Sequence, residues 1–162
     1  MKAKNLARGA IIAAMYTVLT YLQNFLLPDS ASAAIQFRAS EALCVLALFT
    51  PDVIWGLSLG CLLFNISYAG AMPMDWLIGT AATALATLMM YRLRRIRVFR
   101  VPLPALLMPA AFNAVFVGSE LSVYFQGTSL PLNMLYVAIG ELAVLLTLGI
   151  ALYFCLTGRG LN

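Results

Sequence analysis

The chain has 162 residues, 63% of them hydrophobic and only 10% charged, with a formal net charge of +4 and no histidine at all. A charged share far below the roughly 25% of an average soluble domain makes this a membrane protein. The missing histidine removes the commonest general base and metal ligand, which argues against an enzyme, a metal site or a cofactor.

The three cysteines, Cys44, Cys61 and Cys155, form no CxxC and read as small apolar filler. No GxxxxGK[ST] occurs and the only lysines are Lys2 and Lys4, so any ATP-driven work requires a partner.

In chain order, uncharged runs at 9–28, 53–74, 76–91, 101–119, 121–140 and 142–158 are each close to the ~20 residues that span a bilayer as a helix. Lys2, Lys4 and Arg8 ahead of the first run resemble a signal-peptide start. That run is long and is followed by further apolar segments rather than a soluble domain, so it reads as a retained helix. The expected elements are helices at about 8–27, 38–49, 52–70, 75–91, 102–125 and 131–156. The second is short, so it must be tilted or extended outward by residues 30–37. "FTPDV" puts Thr50 at an N-cap with Pro51 at the first helical position, while "LLPDSAS", "GAMPMDW" and "GTSLPLN" mark breaks.

Eight of the ten basic residues fall in two clusters, Lys2/Lys4/Arg8 and "RLRRIRVFR" at Arg92 to Arg100, and both should be cytoplasmic. Two cytoplasmic points require an even number of crossings between them, and four apolar segments are available. Two more crossings return the chain end to the cytoplasm. The expected fold class is therefore an all-α membrane protein, a single bundle of six transmembrane helices with cytoplasmic N- and C-termini, forming one domain over 1–162. The arginine cluster serves either as this topogenic signal alone or also as a docking site for a partner.

Polar side chains inside a bilayer are costly and mark functional sites. Helix rise places Arg38 and Glu41 at the outer end of the second helix, and Asn65 about 20 Å above the inner start of the third. Asn113 falls near mid-membrane, with Glu120 one heptad later on nearly the same face, close to the outer surface. Glu141 lies again near the middle, and Trp76 and Tyr68 flank an outer loop. Depth alone thus describes an outward-facing pocket with Glu141 at its floor.

Plainer readings stand beside this one. Arg38 and Glu41, at i and i+3, pair with each other. Trp76 is an interfacial anchor. Asp29, Asp52 and Asp75 are solvated or capping residues at helix ends. Glu120 and Glu141 are structural partners of something distant in sequence. Pro109 removes a backbone hydrogen bond and kinks its helix beside Asn113. Ala3, Ala7, Ala10 and Ala14 lay a small-residue stripe on one face of the first helix, where either an internal neighbour or another protein packs closely.

"IQFRASEAL", "LFTPDVIWGLSLGCLLFN", "NAVFVGSEL" and "AIGELAVLLTLG" together resemble the queuosine-precursor transporter family, whose members are substrate-binding components of energy-coupling factor (ECF) transporters. The similarity runs through most of the chain, more weakly in "SYAGAMPMDW" and the C-terminal tail. It implies a component of the bacterial cytoplasmic membrane that captures a scarce solute outside. It also implies partners, namely a coupling membrane subunit docked on the alanine stripe and two cytoplasmic ATPases. The implied substrate is a 7-deazaguanine such as preQ1 or preQ0. Its paired N–H donors suit a carboxylate, its carbonyl suits Arg38 or an asparagine, and its ring suits stacking on Trp76 or Tyr68. Ionised Glu41, Glu120 and Glu141 against Arg38 give a formal balance of −2, which favours the ammonium of preQ1 over the nitrile of preQ0. Glu120 is then the expected ammonium partner and Glu41 the ring-edge partner. The competing readings are capture of another vitamin-like solute, an intramembrane enzyme, and a structural scaffold without a substrate.

Overall fold

The computed structural model describes residues 3–28, 30, 35–125 and 127–159. Among these the regular secondary structure is helical, apart from one isolated bridge between Val98 and Val101. The elements are α1 (Ala3–Leu26), a 3-10 segment (Ala39–Leu48), α2 (Val53–Ser67), α3 (Asp75–Leu93), α4 (Leu103–Leu106), α5 (Met108–Tyr124), α6 (Leu130–Val144), a π-helical segment (Leu145–Gly149) and α7 (Ile150–Gly158). Three continuous stretches are long and apolar enough to cross a membrane: Ala3–Leu26, Leu103–Tyr124 and Leu130–Gly158. Asp29, expected at the first helix end, lies outside the described residues.

α1 packs along α2, α2 along α3, α3 along α5, and α5 along α6. The 3-10 segment touches α1, α2, α3, α6, the π segment and α7, so it fills the middle of this arc. This corrects the expectation of a tilted α-helix over 38–49. "ASEALCVLAL" is apolar apart from Ser40 and Glu41, and eight of its ten residues are buried. A helix apolar on nearly all sides belongs in a core, and the 3-10 rise of ~2.0 Å stretches ten residues over about 20 Å where an α-helix reaches about 15 Å. Pro51 biases Thr50 away from helical geometry and ends the segment. α2 then starts after Asp52, two residues later than the cap expected at Thr50.

The two later expected helices each carry an interruption. Leu107 separates α4 from α5, with Pro109 in the first turn of α5, where its missing N–H costs nothing. The π segment widens one turn between α6 and α7 and packs against the 3-10 segment. Hydropathy gives no sign of it, since "LLTLG" reads as ordinary apolar helix.

Close packing of α1 on α2 runs through glycines. A Cβ on Gly56 would stand 2.5 Å from the Gly9 carbonyl oxygen, and one on Gly60 would stand 2.8 Å from that of Ala13. Backbones approach this closely only where side chains are small. Ala3, Ala7, Ala10 and Ala14 lie on another face of α1 and are all exposed. The alanine stripe therefore takes no part in internal packing. At the end of this pair nearer the α1 N-terminus Arg8 meets Asp52 at 3.8 Å, so Asp52 is an ion-pair partner rather than a simple cap.

Candidate functional site

The site is assembled around the N-terminus of the 3-10 segment. Gln23 of α1 grips the chain there: its amide nitrogen donates to the Phe37 carbonyl and its oxygen accepts the Ala39 N–H. Thr20 Oγ1 lies 2.7 Å from Ser40 Oγ. On the other side the Gln36 carbonyl is laid against Gly140 of α6, where a Cβ would stand only 2.1 Å from that oxygen. Arg38 is thereby held between α1 and α6 by contacts to its neighbours' backbone, and it is the only buried cation among the described residues.

Four carboxyl groups surround it. Glu41, Glu120 and Glu141 are each 1% exposed and Asp75 is 4% exposed, and all four lie within Coulombic reach of the guanidinium. Depth arguments brought Glu41, Glu120 and Glu141 together, and the structure does the same. Asp75 was missed: it reads as a helix-end residue, and it does accept the Met72 N–H at 2.7 Å, but it is buried against the cluster rather than solvated. The signal that would have found it is the acid itself, since Asp75 is the sole charge between residues 53 and 91.

The four acids differ in what they bond. Glu41 is engaged on both oxygens, by the Tyr16 hydroxyl on Oε1 and by the Cys44 thiol at 3.1 Å on Oε2. Tyr16 is fully buried in α1, and Cys44, which reads as apolar filler in the sequence, is buried beside Glu41. Glu141 Oε1 accepts from Asn113 Nδ2 at 2.8 Å, while its Oε2 is buried and meets no donor. Glu120 meets no donor on either oxygen, both of them buried. Asn65 donates to the Asp75 carbonyl at 2.9 Å and leaves its own Oδ1 buried without a donor. Buried acceptors left without donors are rare in folded proteins and call for an explanation, because each loses its hydration without replacement.

Glu120 also forms part of the wall of a cleft of about 460 Å³ between α3 and α5, together with Ile78, Val115, Phe116 and Ser119. The expected aromatic platform is not at the cluster. Trp76 is 45% exposed and points away from buried Asp75, and Tyr68 stacks on Phe64 with centroids 5.1 Å apart. Among the described residues no group of three metal-ligating side chains gathers.

With this geometry in hand, comparison with known families gives a direct answer: the family model described as QueT transporter matches residues 6–158. The chain belongs to the QueT transporter family. The match spans every element from α1 to α7 and identifies the protein as a membrane transporter component, with a transport role rather than a catalytic one. No curated protein and no solved structure shows significant similarity to the chain. For this QueT family member, a buried polar cluster in an apolar helical core is consistent with a small-molecule substrate.

Proposed function

We propose that this QueT family member is the substrate-binding component of an ATP-driven ECF importer in the bacterial cytoplasmic membrane. It crosses the bilayer six times with both ends in the cytoplasm. It captures a 7-deazaguanine precursor of queuosine, such as preQ1 or preQ0, and hands it to a coupling membrane subunit served by two ATPases. The absence of a phosphate-binding loop from the sequence supports reliance on those ATPases.

The observation that carries the substrate reading is the excess of buried acceptors: both oxygens of Glu120, Oε2 of Glu141 and Oδ1 of Asn65. A deazaguanine answers that inventory with N–H donors on its pyrimidine edge, its exocyclic amine and its pyrrole ring, and preQ1 adds an ammonium. Glu41, already bonded by Tyr16 and Cys44, serves as a fixed anchor beside Arg38, so the ring-edge role passes to Glu141 with Asn113. Glu120, which also borders the α3–α5 cleft, takes the ammonium. Arg38 donates to the ring carbonyl, and Asn65 Oδ1 accepts a ring N–H. Trp76 acts as an interfacial anchor.

The test is ligand-induced thermal stabilisation of the purified protein with a panel of deazapurines and vitamins, since a ligand that binds only the folded state raises the apparent Tm. PreQ1 is expected to bind about tenfold to a hundredfold more tightly than preQ0, the worth of one charge-assisted hydrogen bond of ~1.5 to 3 kcal/mol. Glu120→Gln should remove most of that preference. Stabilisation by a different vitamin and by no deazapurine would replace the substrate while keeping the importer. No stabilisation by any solute would favour a scaffold.

A further inference from the structure

The loop between α3 and α4 is not used by the transport reading, and its geometry is unusual. Val98 and Val101 exchange backbone hydrogen bonds of 2.8 and 3.1 Å, closing a two-residue hairpin turn. The two residues at its tip, Phe99 and Arg100, have φ of 51° and 68°. Turns with positive φ at both central positions ordinarily take glycine or asparagine. Here the tip carries a phenylalanine that is 92% exposed, flanked by Ile96 at 52% and Val98 at 39%. Around this apolar point stand Arg92, Arg95, Arg97 and Arg100, all exposed and none with an acidic partner among the described residues. Arg94 is engaged separately, stacked 3.7 Å over the Tyr91 ring.

We propose that this hairpin is a binding element for anionic phospholipid, with Phe99 inserted among the acyl-chain ends and the arginines clamping headgroup phosphates. Three points support that partner. The loop is short and tied on one side to the membrane-length stretch beginning at Leu103, which keeps it in the headgroup layer. Its charge is of one sign, with no acidic residue between Asp75 and Glu120 to neutralise it. An exposed aromatic with basic neighbours is the composition that binds interfaces of anionic lipid, where each basic side chain adds about a fivefold preference. A topogenic role alone requires the arginines but not an apolar tip held outward by a left-handed turn.

The test places an environment-sensitive fluorophore at the tip of the full chain, as Phe99→Cys in a Cys155→Ser background, the remaining cysteines Cys44 and Cys61 being buried. The labelled protein is reconstituted into nanodiscs of phosphatidylcholine alone or with increasing phosphatidylglycerol. Because both disc faces carry the same lipid, the signal does not depend on orientation. Anionic lipid should blue-shift the emission and raise it at least twofold, with quenching by shallow nitroxide lipids. Arg95→Gln/Arg97→Gln should at least double the phosphatidylglycerol fraction needed for half the change. Inorganic phosphate added to neutral discs should have no effect; if it reproduced the change, the loop would bind free phosphate instead. Identical emission in neutral and anionic discs would overturn the proposal. So would a change appearing only when cytoplasmic ATPase subunits are added, which would assign the hairpin to protein docking.

Discussion

Gly140 shows how a single position sets the site. Its missing side chain lets the Gln36 carbonyl, two residues before Arg38, rest directly on α6 beside Glu141. A methyl group there would lie 2.1 Å from a backbone oxygen, which has no rotamer to escape into. Gly140→Ala should therefore destabilise the protein by about 3 kcal/mol, the upper range for overpacking, despite the helix preference of alanine. A drop of several degrees in the Tm of the detergent-solubilised variant, with loss of ligand stabilisation, is the expected result. An unchanged Tm would mean that the 35–38 strand of chain is not pinned on α6.

At the scale of elements, two departures from α-helix lie against each other: the 3-10 segment with Glu41 in its first turn, and the π segment one turn beyond Glu141. Each lies within a turn of a buried acid, consistent with the tendency of such irregular helices to occur at functional sites. α1 illustrates a division of faces. Gly9 and Ala13 receive α2, while Ala3, Ala7, Ala10 and Ala14 remain exposed. Replacing Ala7, Ala10 and Ala14 together by leucine should prevent co-purification with the coupling subunit and leave ligand affinity within about twofold, because the exposed stripe and the buried cluster use different surfaces. Undiminished assembly in that variant would assign the stripe to lipid.

For the whole molecule, binding and transport should separate. On the proposed reading the purified chain should bind ligand by itself through its buried cluster, whereas uptake should require co-expressed ATPase subunits. Uptake by this chain alone at the rate of the full complex would contradict the importer reading. The same economy explains the composition: most helices face outward into an apolar medium, with Leu77 78% exposed and Phe25 82% exposed, so the buried acids and the buried arginine among the described residues all lie at the cluster.

Periodicity, charge spacing and breaker residues were enough to determine a helical membrane chain, the approximate limits of most helices, and Arg38, Glu41, Asn113, Glu120 and Glu141 as conspicuous polar residues, all of them buried. An ionisable residue in an apolar run is conspicuous without coordinates, because its burial is costly wherever it points. Tertiary structure alone decided what depends on neighbours distant in sequence. It showed that 39–48 is a central 3-10 plug rather than a tilted α-helix, that the internal small-residue face is Gly9/Ala13 against Gly56/Gly60, and that Trp76 is exposed while Asp75 is buried. It also showed which acceptors keep a donor, through Tyr16 and Cys44 on Glu41 and Asn113 on Glu141. Side-chain direction and hydrogen-bond satisfaction are set by packing between elements, and a hydropathy pattern records the cost of burying a group but not the partner that offsets it.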